Sequence, residues 1–163
     1  MRAVMTGGAA VRIGCLWAAC IVPALAQAVP PPAGPQESPQ IASQNQAAQE
    51  FLDAKVVRWR QRLGLEDWRI SVLMAHRADL PPKTMGGIRW DKPAKSAVIW
   101  VLDPSEYRLP FREMLDDMEL TIVHELVHLD LASLPRGQAS RGSEERAVNS
   151  IARAMLDLDR KNP

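Results

Sequence analysis

Glu119-Leu120-Thr121-Ile122-Val123-His124-Glu125-Leu126-Val127-His128-Leu129-Asp130 is the stretch on which the reading of this chain turns. Apolar residues occupy most of its sides and leave a narrow polar stripe through Glu119 and Asp130, so a helix here should be largely buried. His124 and His128 are four apart, which on a helix sets both imidazoles on one face, one turn from each other and within ~2.0 Å of a shared ion. Glu125 falls ~100° round the same helix, close to such an ion without ligating it. Burying two histidines and a glutamate without partners is costly, and a metal is the simplest partner. Zinc makes water nucleophilic near neutral pH, and a carboxylate where Glu125 stands can take its proton and pass it to a leaving amine.

A catalytic zinc keeps three protein ligands and one open position. Both cysteines, Cys15 and Cys20, lie near the start of the chain, and the only other histidine is His76. The third ligand is therefore sought downstream. Pro135, Gly137 and Gly142 mark a loop, and Ser143-Glu144-Glu145 then opens a last helix reaching about Leu158, with a hydroxyl cap and negative charge at the positive end of the dipole. On a helical wheel Val148, Ile151, Met155 and Leu158 cluster within ~40° of Glu144, while Arg146, Asn149, Ser150, Arg153 and Asp157 occupy the other side. Glu144 is accordingly the expected third ligand, with Glu145 as the alternative.

Upstream, a long helix should run from about Pro110 to Ser133, since proline suits a first turn. Before it, Trp68–Met74 reads as a strand, and Ile88–Trp90 and Ala97–Leu102 as a hairpin around Asp91-Lys92-Pro93-Ala94-Lys95. Ala47, Ala48, Phe51, Leu52, Val56, Trp59 and Leu63 recur at helical spacing over 41–63, and Gly64 stops that helix. Trp59, Trp68, Trp90 and Trp100 are expected to pack rather than to stack on a ligand. The fold class is α+β, with a short three-stranded or slightly larger sheet on the histidine-bearing helix.

Residues 1–28 have Arg2 and Arg12 before the apolar run Ile13–Leu25 and small residues at Ala24–Ala28, the pattern of a signal peptide for export to the periplasm or beyond. Cys20 after Ala18-Ala19 leaves lipidation as a lesser alternative. The run is shorter than the ~20 residues a bilayer span requires. Residues 29–40 carry five prolines and read as a linker, which leaves 41–163 as one domain. With 20 basic and 19 acidic residues the formal charge is +1, which gives no field strong enough to imply nucleic acid or anionic lipid, and no nucleic-acid partner is expected. Oligomeric state is not legible from these features.

The chain resembles the gluzincin metallopeptidases, in which HExxH on one helix is completed by a glutamate on a following helix, and it looks most like the minigluzincin-like proteins. The matching residues are His124, Glu125, His128 and the Glu144-Glu145-Arg146-Ala147 segment. This resemblance implies a zincin-like fold over about residues 51–158, one zinc per chain and hydrolysis of peptide bonds in a peptide or protein substrate. Many gluzincins have an aspartate four residues after the ligand glutamate; here Val148 follows Glu144 and Asn149 follows Glu145 at that spacing. A downstream histidine or tyrosine that stabilises an oxyanion in larger members has no counterpart after His128, so Tyr107, Arg89, His76 and Arg141 are the candidate donors. SprT-like proteases share HExxH but need a third histidine that is missing. In zincins an edge strand pairs with extended substrate, and Ala97–Leu102 is the candidate for that role or else a plain core strand. The alternative function is a noncatalytic zinc-binding envelope module that keeps the fold to bind a protein partner; retention of Glu125 speaks against it.

Overall fold

The computed structural model describes residues 38–134 and 141–162. The expected signal peptide, almost all of the linker and the loop at Pro135–Gly137 lie outside the described residues.

Helix α1 spans Pro39–Arg62, starting two residues before the expected Ile41. Ser38 caps it by accepting the Ile41 N–H at 3.4 Å, Pro39 fits its first turn, and Gly64 leaves it at φ 65, a left-handed value glycine adopts without strain. Its buried stripe is Ala48, Leu52, Val56 and Trp59. Three strands follow: β1 (Arg69–Ala75), β2 (Gly86–Asp91) and β3 (Ser96–Leu102). The β2–β3 hairpin forms as expected, with the Ala94 N–H on Asp91 Oδ1 at 3.0 Å and Lys95 at φ 48.

The strand order is β1-β3-β2, with β1 parallel and β2 antiparallel to β3. This corrects the edge role considered for Ala97–Leu102: β3 is the central strand, both its rows of backbone groups are spoken for, and β1 and β2 are the edges. One sheet face, through Val72, Ala97, Ile99 and Val101 with Ile70, Met74, Ile88 and Trp90, joins the helices in a single core.

Helix α2 (Phe111–Asp130) follows Pro110, and a 3-10 turn over Leu131–Ser133 completes the expected segment. It is buried along most of its length, as its apolar content requires. Glu119, placed on the polar stripe by sequence, is instead 4% exposed: it accepts the Trp59 indole N–H at 2.8 Å and pairs with Lys55 at 2.7 Å. Helix α3 spans Arg141–Lys161, so Gly142 is helical rather than part of the loop, and Ser143 accepts a bond from Arg146 at 3.1 Å. Its buried residues are Val148, Ala152, Leu156 and Asp159; Ile151 and Leu158 are exposed at 42% and 61%, which rotates the inward face away from the one the wheel indicated.

Two contacts set the direction of α3. His128 meets Glu144 and Asp116 meets Arg160 at 3.2 Å each, so α3 runs antiparallel to α2. Strand β2 runs alongside α2 in the same sense: Gly86 abuts Thr121, and the Lys92 ammonium bonds the Ala132 carbonyl past the other end of the helix. A Cβ on Gly86 would fall 2.4 Å from both Thr121 Cγ2 and the Trp100 carbonyl oxygen, so only glycine lets the strand come this close. No helix among the described residues is long and apolar enough to cross a membrane.

Candidate metal centre

Between β2, α2 and the start of α3 lies a cleft of about 730 Å³. His124, Glu125, His128, Glu144 and Glu145 all line it, so the structure brings together every residue expected in the site. The two imidazoles are 4.7 Å apart between centroids, and their Nε2 atoms face each other at 3.1 Å.

The two glutamates take different places. Glu145 presents Oε2 to His124 Nε2 at 3.4 Å and Oε1 to His128 Nε2 at 3.2 Å. Glu144 Oε1 lies 3.2 Å from the other nitrogen of His128, Nδ1. The cluster able to hold one ion is therefore His124, His128 and Glu145. Glu144, the residue favoured by the wheel, sits behind His128, where an N–H from Nδ1 to its carboxylate leaves Nε2 bare and aimed at the cluster. The wheel errs because Ile151 and Leu158 drew its apolar face round toward Glu144. Asn149 carried the better signal: it stands four residues after Glu145, lines the cleft, and its side chain donates to the Glu145 carbonyl at 2.9 Å.

Donors held at ~2.0–2.1 Å by a tetrahedral ion stand ~3.3–3.4 Å from one another. Here the two Nε2 atoms stand 3.1 Å apart, and each has its own Glu145 oxygen nearby, Oε1 at 3.2 Å from His128 and Oε2 at 3.4 Å from His124, so one donor from each residue comes near that spacing. Desolvation, then the neighbouring His128, holds His124 below its ordinary pKa, which favours the neutral ring that metals bind. Glu125, 9% exposed, is pushed up to about 7, first by burial and then by the charge of Glu145. A carboxyl group poised there exchanges protons readily near neutral pH.

Three of the expected oxyanion donors are elsewhere. His76 is exposed and bonded to Glu106 at 2.9 Å, and Arg89 lies over the Trp100 ring at 5.5 Å. Tyr107 donates to Asp117 Oδ2 at 3.2 Å, and burial followed by the Asp117 charge drives its phenol well above the ordinary range. The Arg141 side chain is outside the described residues. Sequence reasoning passed over two cations that do line the cleft, Lys83 and Arg153. It also placed Trp90 and Trp100 with the packing residues; Trp59 and Trp68 are buried, whereas both of these are half-buried and Trp90 borders the cleft.

What fold and site define together is a small α+β domain with a two-histidine, one-carboxylate cluster beside a buried glutamate. Set against protein-family models, curated proteins and solved structures, the chain matches none.

Proposed function

We propose that this protein is a zinc-dependent metallopeptidase of gluzincin type, with a zincin-like, minigluzincin-like fold. His124, His128 and Glu145 hold one ion and Glu125 is the general base. The observation carrying this reading is the convergence of the two imidazole Nε2 atoms and the Glu145 carboxylate, near enough to share one ion, next to a buried carboxylate outside the cluster. A bound zinc supplies Lewis acidity, polarising the scissile carbonyl and acidifying a water.

The remaining work falls to the chain. Glu125 accepts a proton from the attacking water as the C–O bond forms and delivers it to the amine as the C–N bond breaks. Glu144 fixes the tautomer of His128, and Asn149 bonds the backbone of Glu145. Strand β2, the edge beside the histidines, offers backbone groups to an extended peptide, the role first considered for β3. The signal-like N-terminal segment supports action outside the cytoplasm.

Metal analysis of the purified chain and digestion of a peptide library, with and without chelator, test the reading. One zinc per chain is expected, with cleavage that chelator abolishes and that E125Q lacks while keeping its metal. An E125Q protein that cleaves as fast as the parent refutes the mechanism. Zinc and peptide binding with no cleavage by the parent would instead support the noncatalytic module.

A further inference from the structure

Lys83 and Arg153 line the cleft from opposite walls, one from the loop before β2 and the other from α3. Their level along α2 follows from the contacts that align the helices. Arg153 is nine residues past Glu144, which meets His128, and seven before Arg160, which meets Asp116. At equal rise per residue these place it opposite positions 119 to 123, level with Thr121. Lys83 comes three residues before Gly86, which abuts that same Thr121. Both cations thus stand at one end of the cleft.

The conformation of Lys83 is a second, independent observation. Its φ of 66 is left-handed, at the third position of a turn closed by the Thr84 N–H and hydroxyl on the Pro81 carbonyl at 3.2 and 2.9 Å. Glycine or asparagine suits that position, and a lysine adopts it at a cost. Arg77 clamps the loop through the Thr84 carbonyl and Met85 Sδ. Asp117 also lines this end as a single anion, its Oδ2 accepting the Tyr107 hydroxyl at 3.2 Å, and the two cations outnumber it.

We propose that Lys83 and Arg153 form a carboxylate subsite that selects substrates by a negative charge on the C-terminal side of the bond cleaved. The proposal rests on the peptidase reading above. A peptide added antiparallel to β2, the more stable pairing, points its C-terminal half toward the Gly86 end, where the cations are. Thr121 is three residues before His124 and five before the midpoint of the histidine pair, or ~4.5–7.5 Å along the helix, about one or two residues of extended chain. The charge recognised is then on the first or second residue after the scissile bond. A free C-terminal carboxylate and an Asp or Glu side chain both supply it.

Fluorescently labelled hexapeptides separate these sources in binding assays on zinc-loaded E125Q full chain. Three forms are compared: a neutral sequence ending in a free acid, the same sequence amidated, and an amidated set bearing one Glu at each position in turn. Charged forms should bind on the order of tenfold more tightly than the neutral amide, as for a charge-assisted hydrogen bond. Preference for the acid identifies the chain terminus, and preference for a Glu form identifies a side chain. The difference should shrink to about twofold or less when K83G, which suits the left-handed turn, and R153Q are added, with far-UV circular dichroism unchanged. Equal binding of all forms, or a preference that persists without both cations, overturns the proposal. If the parent nevertheless cleaves the neutral amide in a chelator-sensitive way, only the subsite falls; discrimination by E125Q with no cleavage by the parent sinks the peptidase reading instead.

Discussion

Replacing the two adjacent glutamates one at a time gives the sharpest test of the metal centre, because the structure assigns them unequal work. Glu145 faces the Nε2 atoms of both histidines at 3.4 and 3.2 Å, whereas Glu144 meets the far nitrogen of His128 at 3.2 Å. E144A removes an orienting acceptor and leaves the donors in place. Such losses weaken metal binding by about 10–100-fold, or ~1.4–2.7 kcal/mol. E145A removes a donor and a negative charge from the cluster itself, so its loss should exceed the ~100-fold ceiling of an orienting group. Exposure sharpens the contrast: the Glu145 side chain is 56% exposed and Glu144 18%, so folding tolerates the variant expected to hurt metal binding more. Competition with a zinc indicator near neutral pH reads both affinities, and circular dichroism checks the fold. Zinc retained in E145A but lost in E144A would show that the helical wheel, not the distances, had chosen the ligand.

Three other outcomes follow from packing and charge. Gly86→Ala should destabilise by about 1–3 kcal/mol or more in chemical denaturation, and Thr121→Ala should not rescue it, because the Trp100 carbonyl still blocks the methyl group. Rescue would mean that β2 can shift. Glu119→Ala should cost about 1–3 kcal/mol by stranding the buried Trp59 N–H, whereas an exposed control such as Glu66→Ala should cost much less; equal losses would remove Glu119 from the framework. His76 should titrate above its ordinary 6.5 by NMR, raised first by its hydrogen bond to Glu106. A folded-state pKa above the unfolded value means that this pair's stabilisation is complete below 6.5 and fades as pH rises through the folded value. Glu106→Gln should lower the titration midpoint, and no movement would refute the pairing.

Features encoded within one turn or one hairpin were legible in the sequence. The HExxH spacing, the proline at the head of α2, the hairpin turn and Gly64 each act over a few residues, and each is found where it was read. Features depending on remote partners were not. Glu119 looked solvated because its partner Trp59 is 60 positions away, and nothing in the sequence singled out Asp159, whose partner Arg58, 101 positions back, bonds it at 2.5 Å. The central place of β3 escaped for the same reason, since its parallel partner β1 precedes the whole hairpin. The choice between Glu144 and Glu145 hinged on a rotation of α3 that large exposed Ile151 and Leu158 disguised and small buried Ala152 would have revealed.

Those same remote pairs explain how a domain this small can hold His124, His128 and Glu145 together. Helix α1 reaches α2 through Lys55 and Trp59 on Glu119, and it reaches α3 through Arg58 and Arg62 on Asp159. Glu119 lies five residues before His124, and Asp159 lies fourteen after Glu145, so α1 grips one ligand helix close to its ligands and the other near its far end. Rotation of α3 about its axis would move Asp159 away from both arginines and swing Glu145 off the Nε2 atoms together. Directional ion pairs resist such rotation, adding to the burial of Val148, Ala152 and Leu156 along the inward face. Loss of the Asp159 pairs should therefore loosen the proposed metal centre from a distance, without any change to the residues that compose it.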